Sequence, residues 1–240
     1  MSMHFVQPAY RHAAYFAPEP GSLAWDLGSQ WLGRCARTGQ VVSQPLPEGW
    51  TSLEFAQCTH EPRRYGWHAT LKAPFVLAQD RTHADIDAGF FGVSTKAGGP
   101  FRLPLKLTRM GHFLALEPQE SCPPLQGLAQ ACVRELHDCA APLPLSEMER
   151  RSRHGLTPRQ TEMLALWGYP YVMDDFVFHM TLTGSLEGMP EARVAHLMDH
   201  AQSWFAPLLR DGIGIDAVSW FTEDTPGADF RWVQRFGFAS

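Results

Sequence analysis

The sequence predicts an α+β fold in two pseudo-symmetric halves, with two largely antiparallel sheets facing a central cleft and helices outside. Three observations carry this. Apolar stripes of helical period alternate with short strand-like runs, and hairpin signals between neighbouring strands are frequent, which disfavours a doubly wound parallel sheet. At 240 residues, with 45% apolar and 19% charged residues, the chain can bury one substantial core, so 1–240 is read as a single bilobal domain. Two hexapeptides, Trp67-His68-Ala69-Thr70-Leu71-Lys72 and Phe178-His179-Met180-Thr181-Leu182-Thr183, read almost alike and fall at comparable places in the two halves.

The elements follow in order. Arg11 to Ala17 is an opening strand, stopped by Pro18 and Pro20. Ser22 caps a helix to about Thr38, with Leu23, Leu27, Trp31 and Cys35 along one face. A Pro/Gly-rich loop covers Ser43 to Gly49, and a short helix Thr51 to Gln57. Trp67 to Phe75 is the first motif strand. Thr82 to Lys96 is a helix with an Ile86, Phe90, Val93 stripe, broken by Gly98-Gly99-Pro100. Phe101 to Arg109 and His112 to Glu117 form a hairpin around Met110-Gly111. Leu125 to Cys139 is a helix whose inner face holds Leu125, Leu128, Ala129, Cys132, Val133 and Leu136. The segment 142–157, rich in Pro and Arg, reads as a linker or active-site flap. Thr157-Pro158 starts another helix, Phe176 to Thr183 is the second motif strand, Pro190 to Phe205 is a helix, and Gly214 to Thr222 pairs with Phe230 to Phe238.

Net charge is −5, so no global positive field exists to hold a long nucleic acid. No run approaches the roughly 20 apolar residues that span a bilayer, and Met1 to Val6 lacks the charged start and apolar stretch of a signal peptide. Five cysteines without a CxxC pair read as reduced thiols. The expected setting is cytoplasmic, without a membrane partner. Oligomeric state is not legible.

In a strand successive side chains alternate faces, so His68, Thr70 and Lys72 share one side, as do His179, Thr181 and Thr183. Trp67, Leu71, Phe178, Met180 and Leu182 then point into a core. With eleven His in the chain, about one His-x-Ser/Thr triplet arises by chance, so the shared apolar frame carries the argument. An imidazole and a hydroxyl, twice on a half-buried strand, suggest a paired catalytic site.

The pairs His68-Ala69-Thr70-Leu71 and His179-Met180-Thr181-Leu182 resemble the signature of the two-histidine (2H) phosphoesterase superfamily, which includes RNA 2′,3′-cyclic phosphodiesterases. The longer segments Arg63-Arg64-Tyr65-Gly66-Trp67-His68-Ala69-Thr70-Leu71-Lys72-Ala73-Pro74-Phe75 and Trp167 to Gly184 resemble one bacterial branch of it, a domain of unknown function whose genes accompany phosphonate utilisation. The likeness runs from Arg11-His12-Ala13-Ala14-Tyr15-Phe16-Ala17-Pro18 to the closing strand. It implies a bilobal fold with the two His-x-Thr strands facing each other across a groove, and phosphodiester hydrolysis without a metal or other cofactor. The residues agree. Imidazole titrates near neutrality, so two can divide the work of base and acid. The Thr70 and Thr181 hydroxyls would donate to non-bridging phosphate oxygens. Which His is base and which acid stays open.

Lys72 and Thr183 are expected beside the dyads, Tyr15 and Tyr171 along the groove, and Arg64 as a phosphate clamp, together with Arg151, Arg153 and Arg159. The expected substrate is a small cyclic phosphodiester, either a 2′,3′-cyclic nucleotide or a ribose cyclic phosphate. Two other readings compete: a metal-dependent hydrolase using Asp174 and Asp175 near His179, and a non-catalytic nucleotide- or RNA-binding member of the fold.

Overall fold

A computed structural model describes residues 9–153 and 155–239. The described residues form an α+β fold with two antiparallel sheets, of seven and two strands, and eight α-helices. The chain runs β1 (Arg11–Phe16), α1 (Leu23–Leu32), α2 (Ser52–Arg63), β2 (Ala69–Phe75), α3 (His83–Lys96), β3 (Phe101–Leu103), β4 (Leu105–Met110), β5 (Phe113–Pro118) and α4 (Pro123–Glu135). It continues through α5 (Leu145–Ser152), α6 (Pro158–Trp167), a 3-10 turn (Met173–Asp175), β6 (Met180–Thr181), α7 (Glu191–Trp204), α8 (Ala206–Asp211), β7 (Ile213–Ile215), β8 (Ala217–Glu223) and β9 (Arg231–Gly237).

The large sheet has the order β4-β5-β6-β2-β1-β8-β9, and β3 pairs with β7 apart from it. The two motif strands, expected to face one another across the cleft, are instead neighbours in one sheet, joined at Ala69↔Met180. β6 uses both edges, pairing Ala115↔Thr181 and Leu116↔Met180 on its other side. The two halves of the chain are interleaved: β6 completes the wing begun by β4 and β5, while β8 and β9 extend the wing of β1 and β2.

Several boundaries differ from expectation for local reasons. α1 stops at Leu32, not Thr38, because Gly33 takes a left-handed φ of 74° and closes the helix. Its buried side is Trp25, Gly28, Ser29, Trp31 and Leu32, while Leu23 is exposed. α2 runs past Gln57 to Arg63, started by a Thr51/Glu54 capping box. The second motif strand is only two residues long, not Phe176–Thr183, and the first begins at Ala69, not Trp67. The segment 142–157 holds a helix, α5, none of whose residues is buried. α8 has no counterpart in the sequence reading.

The helices fix the motif strands from the core side. Trp67, Leu71, Phe178, Met180 and Leu182 are all buried in the main core, as the alternation predicts. The Trp67 indole stacks on Phe205 at 5.3 Å and presses so close to α1 that a Cβ on Gly28 would lie 2.0 Å from the ring. Trp31 of α1 donates from Nε1 to the Leu182 carbonyl at 2.9 Å. Pro62, inside the last turn of α2, has no N–H to give the Cys58 carbonyl. That carbonyl accepts the Gly184 N–H at 2.7 Å instead, tying the end of the second motif to α2.

Candidate active site

Antiparallel pairing at Ala69↔Met180 has a direct consequence for the four motif side chains. It sets His68 opposite Thr181 and Thr70 opposite His179, all four on the same face. Directly opposed Cβ atoms lie about 5 Å apart and diagonal ones about 7–8 Å. The two imidazoles therefore sit on one diagonal of a small square and the two hydroxyls on the other. This is a tighter grouping than two separate strands across a groove.

Both histidines are held alike. His68 Nδ1 is 2.9 Å from the Gly66 carbonyl, and His179 Nδ1 is 2.9 Å from the Val177 carbonyl, each two residues back. A carbonyl can only accept, so each Nδ1 carries the proton and donates it. Each Nε2 is thereby left to face the site. The ladder begins directly after the histidine in both motifs. Thr70 Oγ1 lies 3.3 Å from His68 Nε2.

Tyr15 of β1 pairs with Thr70 and lays its ring on that of His68, centroids 4.0 Å apart. Tyr65 flanks the imidazole at 5.8 Å and stacks on Phe230, while Phe221 lies 5.1 Å behind Tyr15. This aromatic bed holds the His68 pKa down at about 4, through burial first and the neighbouring His179 last, against the opposing Gly66 hydrogen bond. His68 is thus neutral at pH 7. Burial also raises the Tyr15 phenol well above its usual value. A cavity of about 260 Å³ opens beside His68 and Thr181, lined also by Thr183, Tyr65, Phe113 and Glu61; Thr70 and His179 are not among its lining residues.

A family model described as a protein of unknown function (DUF1045) matches residues 70–231, more than half of the chain. The chain belongs to the DUF1045 family. The match includes Thr70, His179 and Thr181 and begins two residues after His68. Over 221 residues the chain is 36% identical to a protein of Laribacter hongkongensis (strain HLHK9) named ribose 1,5-bisphosphate phosphokinase PhnN, covering 92% of this chain and 50% of that one. Over 232 residues it is 34% identical to a protein of the same name from Janthinobacterium sp. (strain Marseille), covering 95% and 51%. The chain therefore spans about half the length of these curated relatives, whose names tie them to phosphorylated ribose.

Of the other site residues expected from the sequence, the structure brings some to the square and not others. Tyr15 lies against His68. Thr183 is buried, and its Oγ1 accepts the Leu114 N–H at 3.0 Å, so it anchors β5 as well as lining the cavity. Lys72 does not join the dyads. Register slips between Tyr15↔Thr70 and Ala14↔Lys72, one residue of β1 against two of β2, and this bulge turns Lys72 toward α4, with Nζ 3.5 Å from the Val133 carbonyl. Arg64 is committed elsewhere, to the buried Glu223 carboxylate and, at 3.0 Å, to the Ala228 carbonyl. Tyr171 is exposed and packs edge-on against Tyr169. Arg151 pairs with Glu147 and Arg159 with Glu162.

Tyr65, Phe113 and Glu61 were missed, although Tyr65 sits within the segment that carries the resemblance. Among the described residues no three His, Cys, Asp or Glu side chains converge in a metal-binding group. No described helix is long and apolar enough to cross a membrane.

Proposed function

We propose that this chain hydrolyses a small cyclic phosphodiester, with His68 as general base and His179 as general acid. The observation that carries the reading is the square formed by His68, Thr70, His179 and Thr181, with each Nδ1 tied to a backbone carbonyl so that Nε2 is left as the basic nitrogen, that of His68 3.3 Å from the Thr70 hydroxyl. Neutral His68 takes a proton from water as the water oxygen bonds to phosphorus. The ring P–O bond on the opposite side breaks, and its oxygen leaves with a proton from His179. The Thr70 and Thr181 hydroxyls donate to the non-bridging oxygens, where negative charge is held during displacement. The product is a phosphomonoester with the neighbouring hydroxyl restored, and the next cycle begins when the two imidazoles exchange protons with solvent.

The relatives are named for ribose 1,5-bisphosphate, which supports a ribose phosphate among the possible substrates, and the resemblance noted above supports a place in phosphonate metabolism. Those names also raise a kinase reading. The G-x-x-x-x-G-K-[S/T] loop that cradles nucleotide phosphates does not occur in these 240 residues, so that reading has no such motif here to rest on. A panel of 2′,3′-cyclic nucleotides and 1,2-cyclic ribose phosphates, followed by ³¹P NMR, tests the proposal. At least one member is expected to open to a monoester. No turnover across the panel contradicts the assignment.

A further inference from the structure

A larger cavity lies elsewhere. It has a volume of about 660 Å³ and shares no lining residue with the pocket beside His68. Its walls come from the far end of β2, the end of α4, α5 and α6. We propose that this cavity is a second, separate anion site that takes the phosphomonoester of a sugar phosphate or nucleotide on the Lys72 ammonium. The inference does not rest on the dyad chemistry.

Lys72 is only 4% exposed, yet lines the cavity. Its one hydrogen-bond contact is the long 3.5 Å approach to the Val133 carbonyl, and the Phe75 ring lies 5.4 Å away. Among the described residues it forms no ion pair. An ammonium has three N–H donors to satisfy, and burial leaves most of them without an acceptor, which is unfavourable for a charged group. The titratable neighbours do not relieve it: Cys132 and Cys139 are thiols whose pKa values burial pushes up, so they stay neutral. Burial accordingly draws the Lys72 pKa down to about 8.

A second orphan group lines the same space. His137 Nδ1 is buried without a hydrogen-bond partner, its ring edge-on to Trp167 at 4.8 Å. Of the two lining guanidinium groups, Arg11 is paired with the buried Glu223, while Arg151 shares Glu147, the single lining carboxylate, with Arg150 at a pKa of about 2. The Lys72 ammonium is thus the lining charge without a counter-ion, which a phosphate supplies. The apolar remainder, with Val76, Leu164 and Trp167, offers a surface for the body of the ligand, and the volume is that of an ordinary small-molecule site.

Calorimetric titration of the full chain with ribose 5-phosphate and with inorganic phosphate tests this. Saturable binding is expected in the wild type and in the His68→Ala/His179→Ala double variant, and at least tenfold weaker binding in Lys72→Met. Should Lys72→Met fail to fold by circular dichroism, Arg151→Gln on the exposed helix α5 replaces it, with binding weakened at least threefold. Competitive inhibition of cyclic-ester hydrolysis by ribose 5-phosphate would assign the site to a second phosphate on the substrate. A change in kcat alone would assign it to a separate small molecule, and either result supports the site. No binding by wild type at millimolar ligand, unchanged binding in the foldable variant, or loss of binding in the double-histidine variant would overturn it.

Discussion

His68 lies in an aromatic bed, beside a second imidazole, and is held near pKa 4 by burial. A group with a folded-state pKa this low is already neutral well below pH 7. As the base it must be neutral, so kcat/KM should rise with pH through about 4, not through the 6.5 of an ordinary imidazole, and be flat on this limb by neutrality. A pH–rate profile measures this, and an acid limb centred near 6.5 contradicts the role given to His68. The hydroxyls make a separate prediction. Thr70→Val and Thr181→Val keep shape but remove a donor aimed at phosphate, and each should lower kcat about a hundredfold with KM little changed. The four motif residues were legible because strand alternation and the repeated frame expose them. Lys72 was not, because a bulge of one residue against two breaks alternation and leaves no mark in the sequence. Arg64 escaped for another reason: its partner Glu223 lies 159 residues away.

Among the elements, α1 sets the depth of the first motif strand through Gly28. A methyl there would meet the Trp67 ring at 2.0 Å, whereas a Cβ on Gly127 in α4 meets nothing within 4 Å. Gly28→Ala should therefore destabilise by about 3 kcal/mol through overpacking, while Gly127→Ala, on an exposed helix face, should stabilise by about 0.5–1 kcal/mol. Urea unfolding of both variants checks the contrast, and equal effects would remove Gly28 from this role. Helix starts were readable because Thr51, Thr82 and Thr157 each close a capping box with the residue three positions on. The true end of α1 was also written in the sequence, at Gly33, but helical spacing from Leu23 to Cys35 overrode it in the reading. β6 was over-extended because only two of its residues pair, and the apolar alternation continues beyond the ladder.

For the whole molecule, the α+β class follows from element order, but the strand order β4-β5-β6-β2-β1-β8-β9 does not. It depends on long-range pairings between the two halves, β1 with β8, β5 with β6, and β2 with β6 at Ala69↔Met180. No local signal encodes that register, so the expectation of strands facing each other across a groove gave way to strands side by side. Adjacency groups the two imidazoles and the two hydroxyls on one face of the sheet, the arrangement on which the proposed hydrolysis rests. All four groups belong to the chain itself, so hydrolysis should survive EDTA undiminished, and loss restored by a divalent cation would contradict the proposed chemistry. The most direct test is the initial rate of cyclic phosphodiester hydrolysis by wild type, His68→Ala and His179→Ala under identical conditions. Each substitution should reduce the rate about 10²–10⁴-fold while the variants remain folded. Equal rates in all three proteins would contradict the assignment of the histidine pair as the catalytic centre.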